Sequence, residues 1–176
     1  VMYSYKDSSF QKTSMLYIYN VWISFRYNIT HFTVFMYYCS MYSFKTKLRV
    51  RYGETDQMGF VYYGVYAQYY EVGRVELLRS IGISYKKIEA MGFALPVVNL
   101  NINYKKPAFY DDELIIKTTI KVMPSVKIIF DYETFNHNGD LLNTGEVVLV
   151  FINKNTGKPC CAPETIMKQF KGKLIS

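Results

Sequence analysis

Val65-Tyr66-Ala67-Gln68-Tyr69-Tyr70-Glu71-Val72-Gly73-Arg74-Val75-Glu76-Leu77-Leu78-Arg79-Ser80 is the stretch that decides the architecture. Tyr66, Tyr69, Tyr70, Gly73 and Leu77 fall at i, i+3, i+4, i+7 and i+11, one face of a 3.6-residue period. The stretch therefore predicts an amphipathic helix. Glu71 with Arg74, and Glu76 with Arg79 or Ser80, are expected on its other faces. Gly82 ends the helix, since glycine accepts the left-handed conformation found just past a helix. Ser84 is placed to cap a short second helix to about Met91, closed by Gly92.

Upstream, Phe44 to Arg51 alternates Phe44, Leu48 and Val50 with bases, a first strand whose pattern Thr46 breaks. Gly53 to Gly64 is irregular. Downstream of Gly92 the period changes to two. Val98, Leu100, Ile102 and Tyr104 alternate with Asn99, Asn101, Asn103 and Lys105, which predicts a half-buried strand with one polar face. Lys106-Pro107 ends it. Glu113 to Met123 and Val126 to Phe135 follow as strands around a turn at Pro124-Ser125. His137-Asn138-Gly139-Asp140 is a hairpin turn, because Asn-Gly supplies the positive φ angles that a tight turn needs. Gly145 to Asn153 is an almost continuous apolar strand, and Glu164 to Leu174 a last short helix. The order, one strand, a long helix and then antiparallel strands, is an α+β domain in which one helix covers one face of one sheet. The other face and the sheet edge need cover, the apolar strand Val147 to Ile152 above all. A homo-oligomer, at least a dimer, is therefore expected.

The chain holds 176 residues, enough for one domain with an appendage. Residues 1–40 contain one acid (Asp7), three bases (Lys6, Lys12, Arg26) and twelve aromatics, and sustain no period. The remaining 136 residues carry 18 bases and 13 acids. The composition shifts near Met41, so 1–40 reads as an aromatic-rich extension and 41–176 as the folded domain. Three accounts of the extension compete: a signal or membrane anchor, a family-specific addition, or upstream sequence wrongly joined to a protein starting at Met41. No small-residue cleavage site follows its bases. Its longest uncharged run, Tyr27 to Phe44, is 18 residues interrupted by polar ones, marginal for a span. Stable membrane insertion of the domain is not expected.

Half the residues are hydrophobic, which excludes disorder of the whole. Three cysteines make no disulfide framework, so a reducing, cytoplasmic setting is expected. A net charge of +7 favours anionic partners such as phosphates without arguing for nucleic acid. Only two histidines exist, His31 in the extension and His137 in a turn. The absence of G-x-S-x-G argues against a Ser-His-Asp hydrolase. Adjacent Cys160-Cys161 suit neither a zinc site nor a redox C-x-x-C, and no dinucleotide or Walker motif occurs. No cofactor or metal is implied. Any catalysis must use carboxylates, tyrosines and backbone dipoles.

Arg51 to Tyr66 concentrates those groups: two acids and four tyrosines directly before a helix. A helix start offers unpaired N–H groups that can stabilise an oxyanion, and Asp56 in the preceding loop could sit beside the same point. The competing account is an aspartate that caps a turn and tyrosines that pack in a core. The run Tyr52-Gly53-Glu54-Thr55-Asp56-x-x-Gly59-x-Val61-Tyr62-Tyr63-x-x-Tyr66, with Tyr70-Glu71-x-x-Arg74 after it, resembles the 4-hydroxybenzoyl-CoA thioesterase family. It is nearest to the bacterial acyl-CoA thioesterases associated with the Tol-Pal system. Tyr104-Lys105-Lys106-Pro107-Ala108-x-Tyr110-Asp111-Asp112-Glu113-Leu114, and then Lys158-Pro159 with Pro163, extend the match over about Phe44 to Gln169.

The resemblance implies a hot-dog fold, a long helix wrapped by a curved antiparallel sheet of about five strands, assembled as a homodimer or homotetramer. It implies hydrolysis of an acyl-CoA thioester. By the motif match Asp56 takes the catalytic carboxylate's place, as nucleophile or as general base on water. The backbone N–H of Tyr63, with that of Gly64, takes the oxyanion's. Gly59 would let the loop approach the thioester closely, and Tyr66 and Gly64 fall in the substrate-binding part. Many of the nearest relatives have His where this chain has Tyr63. The turn after Val122 lacks the arginines that some members set against the CoA phosphates, and Lys105, Lys106 and Lys127 are the candidate substitutes. A non-catalytic acyl-CoA-binding hot-dog protein is the alternative, distinguished by Asp56, for which a pure binder has no use.

Overall fold

The structure is a computed structural model and describes residues 42–174. The expectations for residues 1–40, His31 and Cys39 included, lie outside the described residues. The elements are β1 (Tyr42–Arg49), α1 (Tyr66–Ser80), α2 (Tyr85–Ala90), β2 (Phe93–Ala94), β3 (Val97–Tyr104), β4 (Glu113–Ile120), β5 (Lys127–Phe135), β6 (Leu141–Val150), β7 (Ile152–Asn153), β8 (Lys158–Pro159) and α3 (Glu164–Leu174). Five strands form one antiparallel sheet in the order β1-β4-β5-β6-β3, and β2, β7 and β8 form a small separate ribbon. This is the hot-dog fold, as expected.

The predicted helix face is the face that is buried. Tyr66, Tyr69, Tyr70, Gly73 and Leu77 are all at most 3% exposed or classed as buried on α1. The sheet's register sets one row across all five strands beneath it: Phe44, Thr118, Tyr132, Gly145 and Ile102. Tyr70 stacks on Tyr132 with ring centroids 4.0 Å apart and planes 6° from parallel. Its hydroxyl donates to Asn143 Oδ1 at 2.7 Å. Gly145 makes room for that ring, because a Cβ there would lie 2.5 Å from it. A tyrosine-rich core face is possible because each phenol buries a large apolar ring, and one with a buried acceptor loses little.

Several expectations need correction. Thr46 does not break the first strand but faces inward at 9% exposure between Phe44 and Leu48, and the alternation extends back to Tyr42. Arg74 is not on an outer face. It is 8% exposed, with Nε donating to the Tyr85 hydroxyl at 3.2 Å and Nη2 paired to Glu71 at 3.3 Å. Its guanidinium is retained as a cation by those partners despite burial, which alone would lower its pKa. In the β5–β6 turn only Gly139 takes a positive φ (+83°), and Asn136 Oδ1 accepts from the N–H of Asn138 and Asp140 instead.

The strand left uncovered is not the apolar one. Val147, Leu149, Val150 and Phe151 are buried inside the chain itself, since β6 lies within the sheet. The outer face is not apolar either: Lys47–Glu113, Lys117–Glu133 and Lys121–Asp131 pair across its strands at 2.8, 2.6 and 2.9 Å. What lies open is β3, at the sheet's edge. Every residue of it but Ile102 is exposed, Val98 to 56% and Leu100 to 43%, so its alternation does not make it half-buried.

Candidate active site

Residues 51–65 carry the chain from β1 to α1, and short backbone contacts hold the irregular loop. Thr55 bridges Val61, the N–H of Asp56 donates to the carbonyl of Phe60 at 3.1 Å, and that of Gly59 to the carbonyl of Asp56 at 3.0 Å. The result is a tight hairpin. Asp56 opens its turn, and Oδ1 of its side chain accepts the N–H of Met58 at 2.8 Å. Aspartate suits this position because its short carboxylate reaches the backbone two residues on. Val61 N–H donates to Ala108 at 2.8 Å and Phe60 bridges Phe109, which lays the hairpin beside the segment that follows β3.

A 3-10 turn at Tyr63–Val65 leads directly into α1. The N–H of Tyr62 donates to Glu54 and that of Val65 to Tyr62, both at 2.9 Å. Between them, the N–H groups of Tyr63 and Gly64 meet no acceptor among the described residues. Two adjacent free donors at a helix start are what an oxyanion needs. The Tyr104 hydroxyl, at the end of β3, donates to the carbonyl of Tyr63 at 2.9 Å and so fixes the peptide that carries the Gly64 N–H.

Asp56, Tyr63, Tyr66 and Lys105 line one open cleft of about 400 Å³, together with Met58, Phe60, Val61, Tyr104, Lys106 and Pro107. Its walls are largely apolar. Burial pushes the Tyr66 hydroxyl up to about 12, so it is a neutral phenol at any physiological pH. Lys106 Nζ is held by Asp140 at 2.6 Å, whereas Lys105 has no such partner among the described residues.

Three expected site residues stand elsewhere. Gly59 does not line the cleft, and nothing lies within 4 Å of where its Cβ would be; it is needed for its φ of +83°, not for close approach. Gly64 does not line the cleft either, and a Cβ there would meet the Tyr62 ring at 2.8 Å. Lys127 opens β5 opposite Val150, while the cleft is near the other end of that strand, roughly 25 Å away at about 3.3 Å per residue. It does not reach the cleft within one chain. Tyr104, Phe60 and Met58 were not singled out as site residues. Tyr104 alone carried a signal, as the first residue of the second motif. Among the described residues no group of three or more His, Cys, Asp or Glu is placed to hold a metal, and no helix is long and apolar enough to cross a membrane.

The sequence profile of the thioesterase-like superfamily matches residues 50–170, a span that contains the whole cleft. The chain belongs to this superfamily. YneP of Bacillus subtilis is 36% identical over 119 residues, which cover 68% of this chain and 86% of that one. The acyl-CoA thioester hydrolase YbgC of Escherichia coli is 34% identical over 128 residues, 73% and 96% of the two chains. Among solved structures, the DHNA-CoA thioesterase of Staphylococcus aureus superposes with a TM-score of 0.70 at 34% identity over 74% of this chain and 89% of its own. As a superfamily member the chain is a thioester hydrolase by its relatives' names.

Proposed function

We propose that the protein hydrolyses an acyl-CoA thioester in this cleft, with Asp56 as nucleophile or as general base and the N–H groups of Tyr63 and Gly64 as oxyanion donors. The observation that carries the reading is that a carboxylate, Asp56, lines the same cleft as Tyr63, whose N–H and that of the adjacent Gly64 are unpartnered at a helix start among the described residues. In the general-base route a water attacks the thioester carbonyl carbon and gives its proton to Asp56. Negative charge gathers on the carbonyl oxygen, facing the two N–H donors, and the C–S bond breaks as the CoA thiolate takes the proton back. In the nucleophilic route the carboxylate itself attacks, CoA leaves, and water hydrolyses the resulting anhydride. Lys105 is the cation placed to meet the CoA phosphates. Both roles of Asp56 coexist in the geometry, since one oxygen caps the turn while the group faces the cleft.

The names of the relatives support acyl-CoA hydrolysis over binding without turnover. The 4-hydroxybenzoyl-CoA branch and the Tol-Pal-associated thioesterases are the finer affiliations that the motifs suggest. We also propose that residues 41–176 fold and act alone in the cytoplasm, as a homodimer or homotetramer paired along β3. Sedimentation of that fragment decides the last two points together: an insoluble fragment, or a folded and active monomer, contradicts them.

The test of the central reading is thiol release from a panel of acyl-CoAs, read with a thiol dye, for the protein and for Asp56→Asn. Asparagine is nearly isosteric and can still accept the N–H of Met58, so the turn survives while the base or nucleophile is lost. A fall in kcat of at least roughly a hundredfold is expected, at unchanged Tm. Hydrolysis by Asp56→Asn at the parent rate would sink the mechanism.

A further inference from the structure

We propose that Glu54 is the positioning residue that locks the Asp56 hairpin to the start of α1 and so sets the distance between the carboxylate and the oxyanion donors. The inference rests on the roles proposed above for Asp56 and for the N–H groups of Tyr63 and Gly64.

Glu54 is two residues before Asp56, yet its side chain is only 11% exposed and does not point into the cleft. Three donors converge on that carboxylate. Oε2 accepts the hydroxyl of Tyr69 at 2.7 Å and the backbone N–H of Arg51 at 2.7 Å, and Oε1 takes the Arg51 guanidinium at 3.1 Å. Tyr69 is on the buried face of α1, one turn past Tyr66, so the first bond ties the loop to the helix. The Glu54 carbonyl meanwhile accepts from Tyr62, the residue directly before Tyr63. One residue thus holds both halves of the site, the helix through its side chain and the oxyanion segment through its backbone. Burial and the bond to Glu54 both raise the pKa of the Tyr69 hydroxyl, so the donor stays protonated over the working range.

No other side chain in residues 51–62 hydrogen-bonds to α1 among the described residues. Without the clamp the loop keeps the Tyr62–Glu54 backbone bond, the hairpin's own backbone contacts and the packing of Val61, but no polar side-chain tie to the helix. A displacement on the order of 1 Å in a reacting group is enough to cost about a hundredfold in rate. A carboxylate buried with charge-assisted donors from two elements is a rigid link, as such bonds are the short and strong ones.

The experiment is a kinetic cycle with Glu54→Ala, Tyr69→Phe and Asp56→Asn on the full chain, using the acyl-CoA that the panel identifies. Glu54→Ala is expected to lower kcat by about tenfold or more, short of the loss in Asp56→Asn, with KM within about threefold. Glu54→Gln keeps an acceptor for Tyr69 and is expected between Glu54→Ala and the parent. Tyr69→Phe removes one of the three bonds and is expected to lower kcat by about threefold or more, which keeps the test open should Glu54→Ala not fold. In the Asp56→Asn background Glu54→Ala is expected to add nothing, because no carboxylate remains to be placed; a purely structural loss would lower activity equally in both. A kcat within twofold of the parent for Glu54→Ala and Tyr69→Phe, beside an inactive Asp56→Asn, overturns this inference alone. An active Asp56→Asn overturns the reading beneath it as well.

Discussion

Gly73→Ala sets two effects of known size against each other. In a helix interior alanine is favoured over glycine by about 1 kcal/mol. On α1, however, the added methyl would lie 2.5 Å from Thr118 Oγ1, 3.0 Å from Ile116 Cγ2 and 3.5 Å from a Tyr132 ring carbon. The first of these is about 1 Å inside an ordinary contact of about 3.5 Å. Thr118 and Ile116 are fully buried, and both are β-branched on a strand paired on either side, so neither has a free rotamer to retreat into. Overpacking of this kind costs about 1–3 kcal/mol. With two rigid neighbours the upper end applies, and the net effect is a loss of about 2 kcal/mol. Thr118→Ala provides the internal check. Its hydroxyl has no hydrogen-bond partner among the described residues, so removing it forfeits little beyond one methyl, about 1 kcal/mol. In that background the worst contact is gone, and Gly73→Ala should be neutral or slightly stabilising, a coupling of about 2 kcal/mol. Urea unfolding followed by circular dichroism reads all four corners, given an unchanged m-value. A higher midpoint for Gly73→Ala in the parent would refute the claim that close helix–sheet approach demands glycine here.

Other perturbations have equally definite outcomes. The Tyr66 hydroxyl is raised to about 12 by burial, so its unfolded form loses its proton first as pH rises; stability is fully present below about pH 10 and falls towards pH 12, by about 2–3 kcal/mol from this group alone. Alkaline melts that stay flat across that window contradict the burial of the hydroxyl. Lys105→Ala should raise KM for an acyl-CoA several-fold and Lys106→Ala much less, since Asp140 already holds Lys106; equal effects would remove Lys105's special role. Gly59→Ala forces a side chain into the left-handed region and should lower stability by about 1–2 kcal/mol, visible as a reduced Tm. An unchanged Tm would mean that the turn readily adopts another conformation.

The long helix was legible because its core face repeats at 3.6 residues over five positions, and each of those is buried. The edge strand was misread for a physical reason. Val98, Leu100 and Ile102 alternate with asparagines as any half-buried strand does, and alternation cannot report that a strand is last in its sheet. The burial of β6 followed from its place between β5 and β3, which only the register reveals. Asp56 was singled out through its motif and lies in the cleft lining, whereas Gly59 was read as permitting close approach and is instead needed for the left-handed φ of the turn. The Glu54 clamp was not, since its decisive partner, Tyr69, is fifteen residues away and had already been explained as a core residue. Arg74 was hidden likewise: a charged residue three positions from an acid looks like a surface pair, and only Tyr85 from the next helix shows where it points.

The hydroxyl that orients the Tyr63 peptide belongs to Tyr104, and Tyr104 is the last residue of the edge strand β3. Under the assembly and the oxyanion role proposed above, chemistry and assembly would share one lever. A neighbouring subunit paired along β3 would damp the strand's motion and, through a single phenol, steady the proposed oxyanion donor. For such an assembly, diluting the protein below the dissociation constant of the subunits would blunt turnover while leaving each chain folded, and specific activity would become a function of concentration. Tyr104→Phe would uncouple the two, giving a slower enzyme whose rate per subunit no longer responds to dilution.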